Sequence, residues 1–334
     1  MAKTGKKTKA VSTPAAIDWA AIFSLDEPVK TRAAKALGQV AGVPWSSEAE
    51  ETSLTLAQFT SEESVDQALG VAARAVVEND PAIFGRASAR VLSEALLTQA
   101  NREAIIIKAA TQLIERTPNA AAGEGLIDDG WLLTFAARAE RTTDPMLQNV
   151  WAAALCAEIL EPGKVSTILL DSLHKLGSRE LGLINKYAGL VLGEEFIPVP
   201  PGDLRHLKAL FELQALGYVH GTGTRFSREG QLDESGLFWV LFAEEALLVQ
   251  GEPGAGWSLP GVFASQTLSE ISEILDIRPG RDAMINAAKL FLDQPRELKV
   301  MRASWAREDN RMRFEPVEIY HRTPPEGVDV ERVE

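Results

Sequence analysis

The sequence predicts a mainly α fold: a helical N-terminal region, a compact four-helix core and a small α/β, winged-helix-like C-terminal part. Three observations carry this reading. Apolar residues recur at i, i+3, i+4 and i+7 over most of the chain before residue 200. Helix start and stop signals punctuate that pattern, with Asp144-Pro145 and Pro162-Gly163 the clearest. Strand-length apolar runs appear only after residue 200, at Leu237 to Phe242 and Ala246 to Gln250.

Taken in order, residues 1–15 read as a flexible basic tail carrying Lys3, Lys6, Lys7 and Lys9. The N-terminal helical region spans 16–118. Asp26-Glu27-Pro28 starts a helix that places Val29, Ala33, Ala36, Leu37 and Val40 on one face. Val65, Ala68, Leu69, Ala72 and Val76 form a second stripe, rich in alanine. Phe84, Val91, Leu92, Ala95 and Leu96, then Ile105, Ile106, Ala109, Leu113 and Ile114, continue the pattern to Thr117-Pro118.

The helical core spans 119–200. Asp128 can cap a helix bearing Trp131, Leu132 and Phe135. Asp144 followed by Pro145 caps the next, with Leu147, Val150, Trp151, Ala154 and Leu155 inward. Ser166 and Ser178 open two more, with Leu169, Leu173 and Leu176, then Leu181, Ile184, Tyr187, Ala188 and Val191, inward.

The α/β region spans 201–320. A helix through Leu204, Leu207, Leu210 and Leu213 leads into a segment that reads as the hairpin of a winged helix. Helices start near Thr267 and Asp282, and strands run from Glu297 to Trp305 and Met312 to Tyr320. Pro316 demands an edge or a bulge. Residues 321–334 read as a loose polar tail.

The stretch from Ile127 to Leu192 resembles a known pattern. Asp129, Trp131 and Phe135, then Gln148, Trp151, Ala152, Leu155 and Glu158, then Pro162 and Gly163, then Ser166, Leu170, Leu173, Leu176 and Glu180, are similar to an uncharacterised bacterial and prophage family known only as a domain of unknown function. The lead-in helix at 101–115 is also similar, and the resemblance extends over about residues 100–300. The Trp-Ala and Leu-rich helices resemble those of the abortive-infection alpha family. Gly130 and Gly177 depart from the pattern. The resemblance implies a setting in phage defence and brings no agreed catalytic site.

Composition bounds the chemistry. A net charge of −13 opposes long-range attraction to phosphate or anionic lipid. The one cysteine, Cys156, excludes an internal disulfide or a multi-cysteine metal site. No apolar run reaches membrane-spanning length and no secretory signal follows the lysines, so cytoplasm is the expected location.

Candidate sites are few. Gly251 to Ser258 resembles a phosphate-binding loop, but Trp257 stands where its lysine belongs and Pro260 where its helix should begin. Gly221-Thr222-Gly223 reads as a turn tip. His174, His206, His220 and His321 are scattered, and no ligand-spaced set accompanies them. Cys156 reads as a small buried hydrophobe. Asp128, Asp129 and Glu161 read as caps or solvated groups, whereas Glu158 falls near the apolar stripe of its helix. Trp131 and Trp151 read as core.

Arg205, Lys208, Arg225 and Arg228 bracket the winged-helix-like segment and are the nucleic-acid-binding candidates. The expected function is a non-enzymatic interaction or sensor component of a bacterial anti-phage, abortive-infection-like system. It would act through a protein partner or self-association, without cofactor, metal or membrane. A winged-helix nucleic-acid-binding regulator is the alternative.

Overall fold

The computed structural model describes residues 17–42, 79–117, 123–193, 195–200, 204–223, 226–242, 245–308, 311–323 and 327–332. The basic tail and the Val65–Val76 stripe read from the sequence lie outside the described residues. The chain divides into two compact units, Met1–Lys164 and Val165–Glu334.

The first unit is helical. It contains α1 (Trp19–Phe23), α2 (Val29–Ala41), α3 (Ala82–Arg116), α4 (Asp129–Ala139) and α5 (Pro145–Leu160). The capping residues act as their types dictate. Asp128 Oδ1 accepts from Trp131 N–H at 2.8 Å, and Asp144 Oδ1 from Met146 N–H at 2.7 Å. α5 is the centre, buried from Val150 to Leu160 on almost every face, and α2 and α3 pack against it. Trp131, Phe135 and Trp151 form a chain of ring contacts with centroids 5.3 Å apart, so both tryptophans fill core. The face of Val29, Ala33, Ala36, Leu37 and Val40 is buried. α3 is unequal along its length. Asn101, Ile105, Ile106, Ala109, Ala110 and Leu113 are buried, whereas Phe84, Val91, Leu92, Leu96 and Leu97 are exposed.

The second unit mixes helix and sheet. Its helices are α6 (Thr167–Leu173), α7 (Ser178–Ala188), α8 (Leu204–Ala215), α9 (Gln266–Ile274) and α10 (Arg281–Leu292). The strands are β1 (Phe196–Pro198), β2 (Val219–His220), β3 (Ser227–Gln231), β4 (Leu237–Leu241), β5 (Glu245–Gln250), β6 (Gly256–Ala264), β7 (Lys299–Glu308), β8 (Arg311–Thr323) and β9 (Gly327–Arg332). In the first sheet β6 is central and pairs antiparallel with β1, β2 and β3. The second is antiparallel in the order β4-β5-β7-β8-β9. One face of it meets α10 around Val249, Val300, Tyr320, Met284 and Phe291. The other face carries a smaller cluster of Ala246, Leu248, Met301 and Ala303, with Trp305, Phe314 and Ile319 against it.

These sheets correct the mainly α expectation: the chain is an α/β protein. The winged-helix-like part is corrected with it, because β2 and β3 do not form a hairpin. Both lie along β6 on the same side. Ser265 N–H donates to Tyr218 O and Gly261 N–H to Phe226 O, while the alternate Ala264 N–H donates to Glu195 O, toward β1. The missed strand segments are poor in alternating apolar residues. β3 reads Ser-Arg-Glu-Gly-Gln, and β6 contains Gly256, Pro260 and Gly261. The residues after His321, expected to be loose, include β9 paired with β8. Pro316 accompanies a register shift between Arg302 and Ala303, which is the bulge it requires.

Candidate functional site

The segment Gly251–Ala255 joins β5 to β6, two strands of different sheets. A phosphate-binding loop must lead into a helix N-terminus, whose N–H groups and dipole hold the anion. Here Trp257 and Pro260 stand inside a strand, so the loop resemblance ends at its glycines.

Two hollows flank this segment. One, of about 600 Å³, is lined by Glu229, Gln231, Gly256, Ser258, Gln294 and Arg296. The other, of about 680 Å³, is lined by Glu252 to Ala255 and Arg296 to Leu298. Arg296 Nη1 donates to Gly256 O at 2.6 Å, and Gln294 Oε1 accepts from Ser258 N–H at 3.3 Å. These two side chains satisfy backbone groups of β6 beyond the reach of β1. Glu229 lines the first hollow and Glu252 and Glu297 the second, with Arg296 common to both, and no nucleophile–base pair stands in either among the described residues.

The histidines occupy separate elements. His206 Nδ1 is 3.1 Å from Tyr187 Oη, and His220 stacks on Phe263 at 5.6 Å. Among the described residues no group of three or more His, Cys, Asp or Glu is placed to hold a metal ion. Cys156 is fully buried, and burial pushes its thiol up from 9.0 to about 11, far from a reactive thiolate. Burial likewise pushes Tyr218 up to about 12, with the Ser172 hydroxyl pulling the other way.

Of the nucleic-acid-binding candidates, the side chains of Lys208 and Arg228 are described. Lys208 is exposed on α8, and Arg228 is exposed on β3 with its guanidinium against Gly193. The Arg205 side chain and all of Arg225 lie outside the described residues. Glu212, one turn on from Lys208, is paired with Arg179 at 2.6 Å.

The buried charges serve the fold. Glu158, at 2% exposure, accepts from Gly163 N–H at 2.7 Å and so ties the turn after α5 to that helix. Arg32 is 1% exposed. It donates to Gly123 O at 2.8 Å, Gly125 O at 3.3 Å and Leu160 O at 3.2 Å. Desolvation lowers its pKa below the ordinary guanidinium value. Glu318, at 3% exposure, accepts from Arg302 Nε at 3.0 Å and Arg281 Nη2 at 3.1 Å, and Arg302 also pairs with Glu245. Arg32 interrupts an apolar stripe, being three residues after Val29 and four before Ala36. That interruption was the available sequence signal for a buried polar anchor.

What remains unabsorbed by the fold is surface: the apolar N-terminal half of α3 and the outer edge of β4. No helix among the described residues is long and apolar enough to cross a membrane. Residues 85–195 match the model of a family described as a protein of unknown function (DUF2806). The match begins within α3 and ends before β1, and its description names no activity. Neither the curated proteins nor the solved structures give a match.

Proposed function

We propose that the chain is a non-enzymatic interaction component that self-associates through the N-terminal half of α3. The observation that carries this reading is the exposure, among the described residues, of Phe84, Val91, Leu92, Leu96 and Leu97 on one helix of 35 residues. Contiguous apolar surface of this kind marks a contact site. Phe84, Ser88, Val91, Leu92, Ala95 and Leu96 fall on one side at helical spacing, and the small Ser88 and Ala95 among them admit a second helix closely. The resemblance of residues 127–192 supplies the proposed setting, a sensor in a bacterial, mobile-element anti-phage system of abortive-infection type.

Light scattering of the purified chain, at low and high salt and with and without nonspecific DNA, tests the reading. An apolar contact gives a mass above the monomer that survives high salt and ignores DNA. The double variant Leu92→Gln, Leu96→Gln then returns to the monomer. A monomer at both salts overturns the proposal. So does one that shifts onto DNA at low salt only, which is the signature of phosphate-driven binding.

A further inference from the structure

The apolar stripe of α3 does not end where its exposure ends. Ser88, Val91, Leu92 and Ala95 recur about five turns later, at the same angles around the helix, as Ile106, Ala109, Ala110 and Leu113. The later four are buried. There the chain covers its own stripe. α5 runs beside α3 in the same direction, since Lys108 Nζ donates to Pro145 O at 2.8 Å and Gln112 Nε2 to Asn149 O at 3.3 Å. α2 packs along the same half of α3.

This cover stops at one level. Gln99 Nε2 donates to the carbonyl of Ala41, the last residue of α2, at 3.1 Å. Asn101 Nδ2 donates to the carbonyl of Glu140, just past α4, at 2.9 Å. Toward the N-terminus from there, residues 84–97 are exposed on every side among the described residues. The uncovered stripe is thus a slot roughly 21 Å long. The Ala41 and Glu140 carbonyls close one end of it, and the other end is open.

The element that fits is a bare helix of that length with a free start. The chain carries one, namely residues 84–97 themselves, begun at Pro81. A lone helix this short is marginal in water, so two copies gain by covering each other.

Sterics choose the direction. In a parallel pair the α2 and α5 of both copies would meet between the two α3 helices at the level of Ile105 to Leu113. They would hold the α3 axes roughly 20 Å apart there, against about 8–10 Å at the contact. In an antiparallel pair each copy's α2 and α5 lie past the other copy's Pro81, and the described helices do not collide. With Pro81 of one copy level with Asn101 of the other, Val91 faces Val91 and Phe84 faces Thr98. The small Ser88 and Ala95 of one copy then lie beside Ala95 and Ser88 of the other, which lets the axes approach.

We propose that two copies pair antiparallel through α3 about a two-fold axis at Val91, each helix start seated against the Ala41 and Glu140 carbonyls of its partner. This rests on the self-association reading given above. Both stripes are used in the pairing, so the assembly closes at two copies.

Cysteine variants of the full chain, treated with a bis-maleimide linker of about 10 Å, read the arrangement, because antiparallel pairing separates the two copies of Phe84 by roughly 21 Å. The native Cys156 is buried and stays silent. Val91→Cys is expected to cross-link. Phe84→Cys alone and Thr98→Cys alone are expected not to, whereas an equal mixture of the two does. Light scattering of the parent is expected to give twice the chain mass. Cross-linking of Phe84→Cys to itself indicates parallel pairing and overturns the proposal while self-association stands. A dimer in which no variant cross-links, or a mass above two copies, does the same. A monomeric parent overturns both.

Discussion

Arg32 Nη2 lies 3.2 Å from the carbonyl of Leu160, a residue 128 positions further along the chain. Leu160 is the last residue of α5, so the guanidinium satisfies one of the acceptors that a helix C-terminus leaves open. The same carbonyl takes Gly123 N–H at 2.9 Å. Arg32 thus fastens the 123–125 segment and the end of α5 to α2. Replacing it with Met keeps the volume and deletes every donor. Arg32→Met is expected to destabilise the first unit by about 3 kcal/mol. Arg32→Lys, with one ammonium in place of a planar fork, is expected to recover only part of this. Urea denaturation followed by circular dichroism measures both, and equal stability of Arg32→Met and the parent would refute the anchoring role.

Glu318 sets a second contrast. Its carboxylate is buried between Arg302 and Arg281, but the Arg281 side chain is 57% exposed and that of Arg302 only 16%. Glu318→Gln leaves Arg302 with Glu245 alone and is expected to cost about 3 kcal/mol. Arg281→Ala removes a solvated partner and is expected to cost less than about 1 kcal/mol. Chemical denaturation of the two variants should therefore rank them clearly, and the reverse order would contradict the geometry.

Gly230 and Gly182 predict opposite signs for the same substitution. A Cβ on Gly230 would sit 2.4 Å from Trp257 Cζ2, in a ring already packed 4.3 Å from Phe238. Gly230→Ala is expected to lower the thermal midpoint by several degrees and to change near-ultraviolet dichroism, because the indole must move. Gly182 is inside α7, exposed, with nothing within 4 Å of an added Cβ. Gly182→Ala is expected to stabilise by about 0.5–1 kcal/mol through helix propensity.

Cys156 and Tyr218 give an alkaline dependence. Each keeps its proton to a higher pH in the folded chain than in the unfolded one, with thiol and phenol pushed up to about 11 and about 12. The unfolded state then releases protons first, so stability falls as pH rises from about 9 through these values. The first unit should soften from about pH 9 to 11 and the second from about pH 10 to 12. Denaturation midpoints in that range measure it, and a Cys156→Ala variant should lose the earlier component. Thiol labelling at pH 8 should proceed only as fast as the first unit opens.

The helices were legible because their signals are local. Asp128, Asp144 and Ser166 cap where their side chains can reach the next N–H groups, and the Trp131 and Trp151 positions follow from spacing. Small errors arose where two capping residues compete. The expected Thr267 start gave way to Ser265, whose Oγ accepts from Leu268 N–H at 3.3 Å, and Ser178 follows a Gly177 cap. β4 and β5 were also legible, since each carries an apolar run of strand length, and the strands expected at 297–305 and 312–320 correspond to β7 and β8.

β6 was not legible. Pro260 reads as a breaker, yet its missing N–H would face β1, and its carbonyl still accepts from Val199 N–H at 2.9 Å. The bare Cα of Gly261 leaves room for the Phe196 ring, which an added Cβ would meet at 2.5 Å. What makes these residues a strand is contact with segments far away in sequence, and no local pattern reports that. The partners of Arg32 and Glu318 are hidden for the same reason, since they come from other elements, although Arg32 itself stands out by interrupting its apolar stripe. Glu158 was visible as a carboxylate on an apolar stripe because its partner is five residues away.

The central place of β6 also fixes an order of events at the ribosome. β1, β2 and β3 all leave the exit tunnel before the strand that joins them: β3 waits for Gly256–Pro260, β1 for Gly261–Phe263, and β2 for Phe263 and Ala264. The stretch from Phe196 to Ala264 takes several seconds to make at a synthesis rate of about 5–20 residues per second, and β1 lacks its β6 partner for that time. A chain arrested between Gln231 and Gly256 therefore carries β1, β2 and β3 with no β6 to assemble them on.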